Sequence, residues 1–128
     1  MADVRRTGRR LEHPQAGKIR VDAVLHALAD PVRLRIVRDL AASHEDMACT
    51  AFALPVSKST STHHFRVLRE AGIIRQYYEG TSRMSRLRTE DLEVRMPGLL
   101  GAVLNAARVA EREDEGAGAD PAPAGAER

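Results

Sequence analysis

Ser57-Lys58-Ser59-Thr60-Ser61-Thr62-His63-His64-Phe65-Arg66-Val67-Leu68-Arg69-Glu70-Ala71-Gly72-Ile73-Ile74 is the stretch that decides the fold. Ser57 is a good N-cap, because its side-chain oxygen can accept from an orphan amide of a first helical turn. Gly72 suits the position just past a helix end, where a left-handed conformation carries no steric penalty for glycine. Between them Ser61, His64, Phe65, Leu68 and Ala71 fall on one face. The opposite face holds Lys58, Ser59, Thr62, His63, Arg66 and Arg69, with no acid before Glu70. A solvated helix normally mixes both signs of charge. A face of hydroxyls, a histidine and cations suits phosphate oxygens and base edges, since hydroxyls donate and accept while arginine bridges guanine or phosphate.

After Gly72 the period changes from helical to two. Ile73-Ile74-Arg75-Gln76-Tyr77-Tyr78 has strand composition, Glu79-Gly80-Thr81-Ser82 is a turn, and Arg83-Met84-Ser85-Arg86-Leu87-Arg88 pairs back. A hairpin directly after a helix of this kind makes a winged helix. The expected contact helix is residues 57–71 and the wing 75–88, with Tyr78, Thr81, Ser82 and Arg83 at the tip and flanks. The hairpin would cover the edge of the core in any case.

Upstream, Val21, Val24, Leu25 and Leu28 fall on one helical face ending near Asp30. Asp30 then caps a second helix with Pro31 in its first turn and Leu34, Ile36, Val37 and Leu40 on its apolar side. That helix stops near Ala42–Ser43, and a short third helix fits Ala48–Leu54, ended by Pro55. Downstream, Pro97 opens a further helix with a stripe of Leu99, Leu100, Val103, Leu104 and Ala107. Two such stripes per chain suit a helical dimer seam, so Val24, Leu28, Leu99, Leu100, Val103 and Leu104 are the expected dimer contacts.

The flanks read differently. Residues 1–17 form a flexible basic arm containing Arg5, Arg6, Arg9 and Arg10, the domain occupies 18–113, and residues 114–128 form a disordered acidic Ala/Gly/Pro tail. No apolar segment follows the N-terminal arginines, and no run approaches the roughly 20 apolar residues that span a bilayer. A cytoplasmic protein with no membrane partner is expected. The 128 residues carry a net charge of only +2, but residues 57–88 hold seven cations against Glu70 and Glu79, a nucleic-acid footprint. With two Phe, two Tyr and no Trp, the core must be built from aliphatic side chains. The fold class is mainly α with a small β-hairpin: a dimeric winged helix-turn-helix.

The segment Ala29-Asp30-Pro31-Val32-Arg33-Leu34-Arg35-Ile36-Val37, together with Ser57–Ile74, resembles the arsenic-repressor-type (ArsR/SmtB) transcriptional regulators over roughly residues 20–110. The resemblance implies a homodimeric winged-helix repressor that binds an inverted-repeat operator in double-stranded DNA. Recognition helices would lie in successive major grooves, with wings flanking them. Carried onto this chain, the DNA contacts are Ser57, Lys58, Ser59, Thr60, Thr62, His63, Arg66 and wing positions around Arg83. Arg69 and Thr81 join them from the residue pattern. Arg33 matches a family arginine whose expected role is packing against the domain.

Departures from the family bear on its effector. Classical members release DNA when metal binds to paired cysteines before the recognition helix or to Asp/His and His/Glu pairs on the C-terminal helices. Here the first region reads Asp46-Met47-Ala48-Cys49-Thr50, with a single thiol, and residues 97–113 contain no histidine. Adjacent His63 and His64 point about 100° apart on a helix and chelate poorly together. No metal and no cofactor is expected, and the effector is unassigned. Cys49 is either a small buried hydrophobe or a redox sensor whose thiolate is favoured at a helix N-terminus. The sequence has no Walker loop, GxGxxG or HExxH, so an enzyme is not expected. The competing reading is a winged-helix protein-interaction module without DNA binding, but such modules typically lose the basic face that this sequence keeps.

Overall fold

A computed structural model describes residues 10–119. A 3-10 turn at Ala16–Lys18 leads into helices α1 (Val21–Leu28) and α2 (Pro31–Ser43), then strand β1 (Met47–Ala48) and a second 3-10 turn at Cys49–Ala51. Helix α3 (Lys58–Glu70), strands β2 (Ile74–Glu79) and β3 (Ser82–Leu87), and helices α4 (Thr89–Arg95) and α5 (Leu99–Ala119) complete the order. The architecture is a winged helix-turn-helix: mostly helical, with a small antiparallel sheet of order β1-β3-β2.

Local chemistry sets the junctions. Asp30 Oδ1 accepts from the amides of Val32 (2.8 Å) and Arg33 (3.1 Å), and Pro31 occupies a first-turn position where its missing N–H costs nothing. Gly72 ends α3 at φ +86°, and a Cβ there would stand 2.6 Å from Ile19 Cγ1. Two constraints thus select glycine at one position. The reversal delivers Ile73 and Ile74 directly into the core, both fully buried beside Ile36, Val37, Leu68 and Leu92. Tyr78 pairs with Arg83 and Glu79 with Ser82, leaving Gly80-Thr81 as a two-residue turn with Gly80 at φ +65°.

Several expectations are corrected. Ala48–Leu54 is not a helix: Met47 and Ala48 pair with Ser85 and Met84 on the free edge of β3, and one 3-10 turn is all that fits before Pro55. The hairpin therefore gains a third strand. Helix α4 had no counterpart in the sequence reading. Helix α5 starts at Leu99 rather than Pro97, because Gly98 adopts φ +80° and donates its N–H to the Glu93 carboxylate.

Helix α5 also runs past residue 113 to Ala119, through Asp114-Glu115-Gly116-Ala117-Gly118, although glycine is a poor helix former. An Arg38–Glu111 ion pair ties it to α2. Residues 120–128 of the tail and 1–9 of the arm lie outside the described residues. Residues 10–17 rest on the domain: His13 Nε2 accepts from the Gln76 amide (2.9 Å) and the Pro14 carbonyl from Arg88 (2.8 Å).

The expected dimer seam changes too. Val24, Leu28 and Leu100 are buried within this chain. Ala27, Val24 and Leu28 turn inward as one helical face, so Val21 and Leu25 are the α1 side chains left about half exposed, at 50% and 48%. On α5, Leu99, Val103 and Leu104 are partly covered and Val109 is exposed.

Candidate nucleic-acid interface

Helix α3 divides as its pattern requires. His64, Phe65 and Leu68 are buried, while Lys58, Ser59, Thr60, Thr62, His63 and Arg66 face outward. Ser57 is exposed at the N-cap, where its Oγ accepts from the Thr60 amide (3.2 Å) and donates to Thr60 Oγ1 (3.0 Å). Ser57 and Thr60 are thus partly committed to the cap. Thr62 Oγ1 donates to the Lys58 carbonyl (3.0 Å), which leaves its lone pairs as the outward-facing function.

Arg69 departs from the face assigned to it. Its guanidinium turns back and donates to Gln76 Oε1 (2.7 Å), and its Nε is buried without a partner. Burial, followed by the charge of Arg83, lowers its pKa. The reason is position: Arg69 sits on the last turn, where α3 runs into the hairpin, and Gln76 offers an acceptor that water would otherwise supply. Gln76 in turn donates to Ser85 Oγ (3.1 Å) and to Cys49 Sγ (3.5 Å). This polar knot under the sheet was not foreseen. Its signal was Gln76 itself, a polar residue on the inward phase of a strand.

The wing brings Thr81 and Arg83 beside the start of α3, so that Lys58, Thr62, Thr81 and Arg83 line one groove. Thr81 is exposed at the tip. Arg83 donates to the Tyr78 hydroxyl and its guanidinium lies 5.1 Å from the centre of that ring. Tyr78 thus orients the arginine before anything binds. Lower on the sheet, Asp46 accepts from Arg86 Nε (2.8 Å) and from the Tyr77 hydroxyl. The Arg86 hydrogen bond is the main cause holding the Asp46 carboxyl below its usual range, and Asp46 pushes Tyr77 up to about 12.

Behind α3, Arg33 fixes the helix-turn-helix from inside. It is 8% exposed, donates from Nε to the Ala27 carbonyl (2.8 Å) and places NH1 3.0 Å from His64 Nδ1. A guanidinium has no lone pair, so His64 Nδ1 is the acceptor and the ring is neutral with its proton on Nε2. Burial first, then Arg33 and His63, lower the His64 pKa against the opposing pull of Asp30. Asp30 Oδ1 lies 4.0 Å from Nδ1. Burial raises the Asp30 carboxyl, but the amides of Arg33 and Val32 outweigh it and leave the carboxyl below its usual range.

Cys49 does not sit at an α-helix N-terminus. It is half-buried in the 3-10 turn, and burial raises its pKa against the hydrogen bonds of Ser85 and Gln76 and the charge of Arg83. Of the two readings of Cys49, this setting is that of the half-buried thiol rather than of a thiolate favoured by a helix N-terminus. Among the described residues, no group of three or more His, Cys, Asp or Glu gathers as a metal site, and no helix is long and apolar enough to cross a membrane.

The family model described as a helix-turn-helix domain matches residues 28–77, from the end of α1 into β2. The chain is 30% identical over 79 residues to the uncharacterized HTH-type transcriptional regulator YceK of Bacillus subtilis, an alignment covering 60% of this chain and 79% of YceK. Two solved structures share the fold. An ArsR family transcriptional regulator matches with a TM-score of 0.52 at 21% identity, over 73% of this chain and 92% of its own. An ArsR-like regulator from Rhodococcus sp. RHA1 matches with a TM-score of 0.50 at 24% identity, over 72% and 89%. The chain belongs to the helix-turn-helix (HTH-type) transcriptional regulators. Membership in this helix-turn-helix regulator family implies DNA binding.

Proposed function

We propose that this helix-turn-helix regulator is a cytoplasmic homodimeric repressor of the ArsR type that binds an inverted-repeat operator. It would enter successive major grooves with α3 and hold the flanking backbone with the wing. The observation that carries this reading is the acid-free outer face of α3 set beside an arginine-bearing wing: Lys58, Ser59, Thr62, His63 and Arg66 on the helix, Thr81 and Arg83 across the groove. Lys58 and Arg66 take phosphates. Thr62, its donor already used within the helix, accepts from a base amino group. Arg83, oriented by Tyr78, takes a phosphate outside the half-site. Ser57 and Thr60 shape the helix start and offer their remaining hydroxyl capacity to the backbone. Arg69 is engaged with Gln76 and is left out of the contact set.

The dimer that presents two such helices about one DNA turn apart would close over Val21 and Leu25 of α1 and Leu99, Val103, Leu104 and Val109 of α5. These side chains keep apolar surface outside the core, and two copies bury it together. Fluorescence anisotropy on DNA from upstream of the protein's own gene, at two salt concentrations, tests the reading. Affinity should fall steeply with salt, the log–log slope tracking the phosphates neutralised. Binding that is absent, or indifferent to salt, would support the protein-interaction module instead.

A further inference from the structure

The groove between α3 and the wing has a volume of about 720 Å³, inside the range of small-molecule sites. Its floor is apolar. Phe52 and Phe65 meet edge to face with ring centres 5.2 Å apart, and Leu54 and the Cys49 thiol lie beside them. Its rim is cationic, with Lys58 on the helix side and Arg83 on the wing side, and hydroxyls fill the spaces between. No acidic residue lines it. Phosphate oxygens satisfy such a rim but gain nothing from an aromatic and aliphatic floor. A ligand with a flat apolar body and one negative charge uses both halves.

We propose that this groove is the effector site, and that it takes a small aromatic carboxylate: the ring lies on Phe52, Phe65, Leu54 and Cys49, and the carboxylate sits between Lys58 and Arg83. This deepens the DNA-binding reading and rests on it for its consequence. Lys58 and Arg83 cannot hold a carboxylate and the operator backbone together, so an occupied groove releases DNA. The regulator needs no long-range conformational change for this response. Ligand and operator compete for the same two cations.

The test uses 2-naphthoate as the probe, with 2-naphthalenemethanol as its neutral counterpart, titrated first without DNA. Wild type should bind 2-naphthoate with a dissociation constant on the order of 100 µM, as expected for a ligand of this size. Arg83→Gln should weaken it about tenfold by removing the counter-charge, and Leu54→Asn about tenfold by making the floor polar. The neutral alcohol should bind about tenfold more weakly than the acid. Cys49 is the one cysteine of the chain, so its alkylation by N-ethylmaleimide reports the groove alone and should slow when 2-naphthoate is bound.

With operator present, 2-naphthoate should displace DNA from wild type. It should displace far less from Leu54→Asn, whose side chain is outside the DNA contact set. No binding to wild type, binding unchanged in both folded variants, or an unprotected Cys49 would each overturn the site. Groove binding that leaves DNA in place would overturn the effector role. If the protein binds no DNA at all, the DNA-free titration still reads the groove, so failure of the regulator reading shows separately.

Discussion

Replacing Arg33 with methionine removes the guanidinium that joins α1, α2 and α3 while keeping a side chain of similar length. Two buried acceptors then lose their donor, the Ala27 carbonyl at 2.8 Å and His64 Nδ1 at 3.0 Å. Each orphaned acceptor costs about 1–3 kcal/mol, and the methionine stem recovers part of that by packing. The expected loss is about 3 kcal/mol, which in a domain of this size lowers Tm by about 12 °C. Thermal melts followed by circular dichroism read it directly. The effect also depends on pH. In the wild type His64 is held below its usual pKa of 6.5, mainly by burial and then by Arg33. The folded state therefore binds fewer protons than the unfolded one, and stability is lost as pH falls below 6.5. In Arg33→Met the repulsion is gone while Asp30 still faces the ring at 4.0 Å, so the folded variant accepts the proton more readily and its stability falls less steeply. The Tm gap should be widest near pH 8 and narrower near pH 5.5. A drop of under about 4 °C would refute the energetic argument, and an identical gap at both pH values would refute the coupling to His64.

Arg66→Gln should flatten the salt dependence of operator binding by about one per protomer, hence about two per dimer, and leave Tm within about 1 °C; an unchanged slope removes Arg66 from the contact set. Cys49 should react slowly with maleimide near pH 7 because burial raises its thiol, and Cys49→Ser should bind operator as wild type does with or without peroxide. Oxidant-driven release in wild type that the serine variant lacks would revive a thiol switch. Tyr77 should ionise only towards pH 12 in an absorbance titration, and Asp46→Asn should bring it back towards the ordinary value of 10. Gly72→Ala should cost about 2 kcal/mol or more in chemical denaturation, because φ +86° strains any L side chain and the new Cβ strikes Ile19.

Most of the helix-turn-helix was legible because its signals are local. Asp30-Pro31 starts α2, Ser57 starts α3, Gly72 ends it, and the buried and exposed phases of α3 follow the 3.6-residue period. The short Ala48–Leu54 segment was misread because an apolar run of that length is ambiguous, and the free edge of β3 claimed its first residue and Met47 before it. Val24, Leu28 and Leu100 leave the expected dimer stripe because periodicity identifies an apolar face without saying whether the chain itself or a second copy covers it. Val24 and Leu28 went to the chain's own core. Arg69 was misplaced because its helical phase is outward while its partner, Gln76, comes from the following strand.

By itself, then, the sequence determined helices α1, α2 and α3, the caps that bound α2 and α3, the hairpin after α3 and the acid-free face that α3 presents. All of these depend on residues within a few positions of one another. Tertiary structure decided which cations of that face stay free, how Arg83 is held by Tyr78, that Cys49 is half-buried in a 3-10 turn with its thiol pKa raised, and that an apolar floor underlies the cationic groove. Those outcomes rest on groups from different elements, from Tyr78 and Arg83 across the hairpin to Cys49 with Gln76 and Ser85 much further along the chain, whose distance and burial exist only once the sheet has closed against α2 and α3.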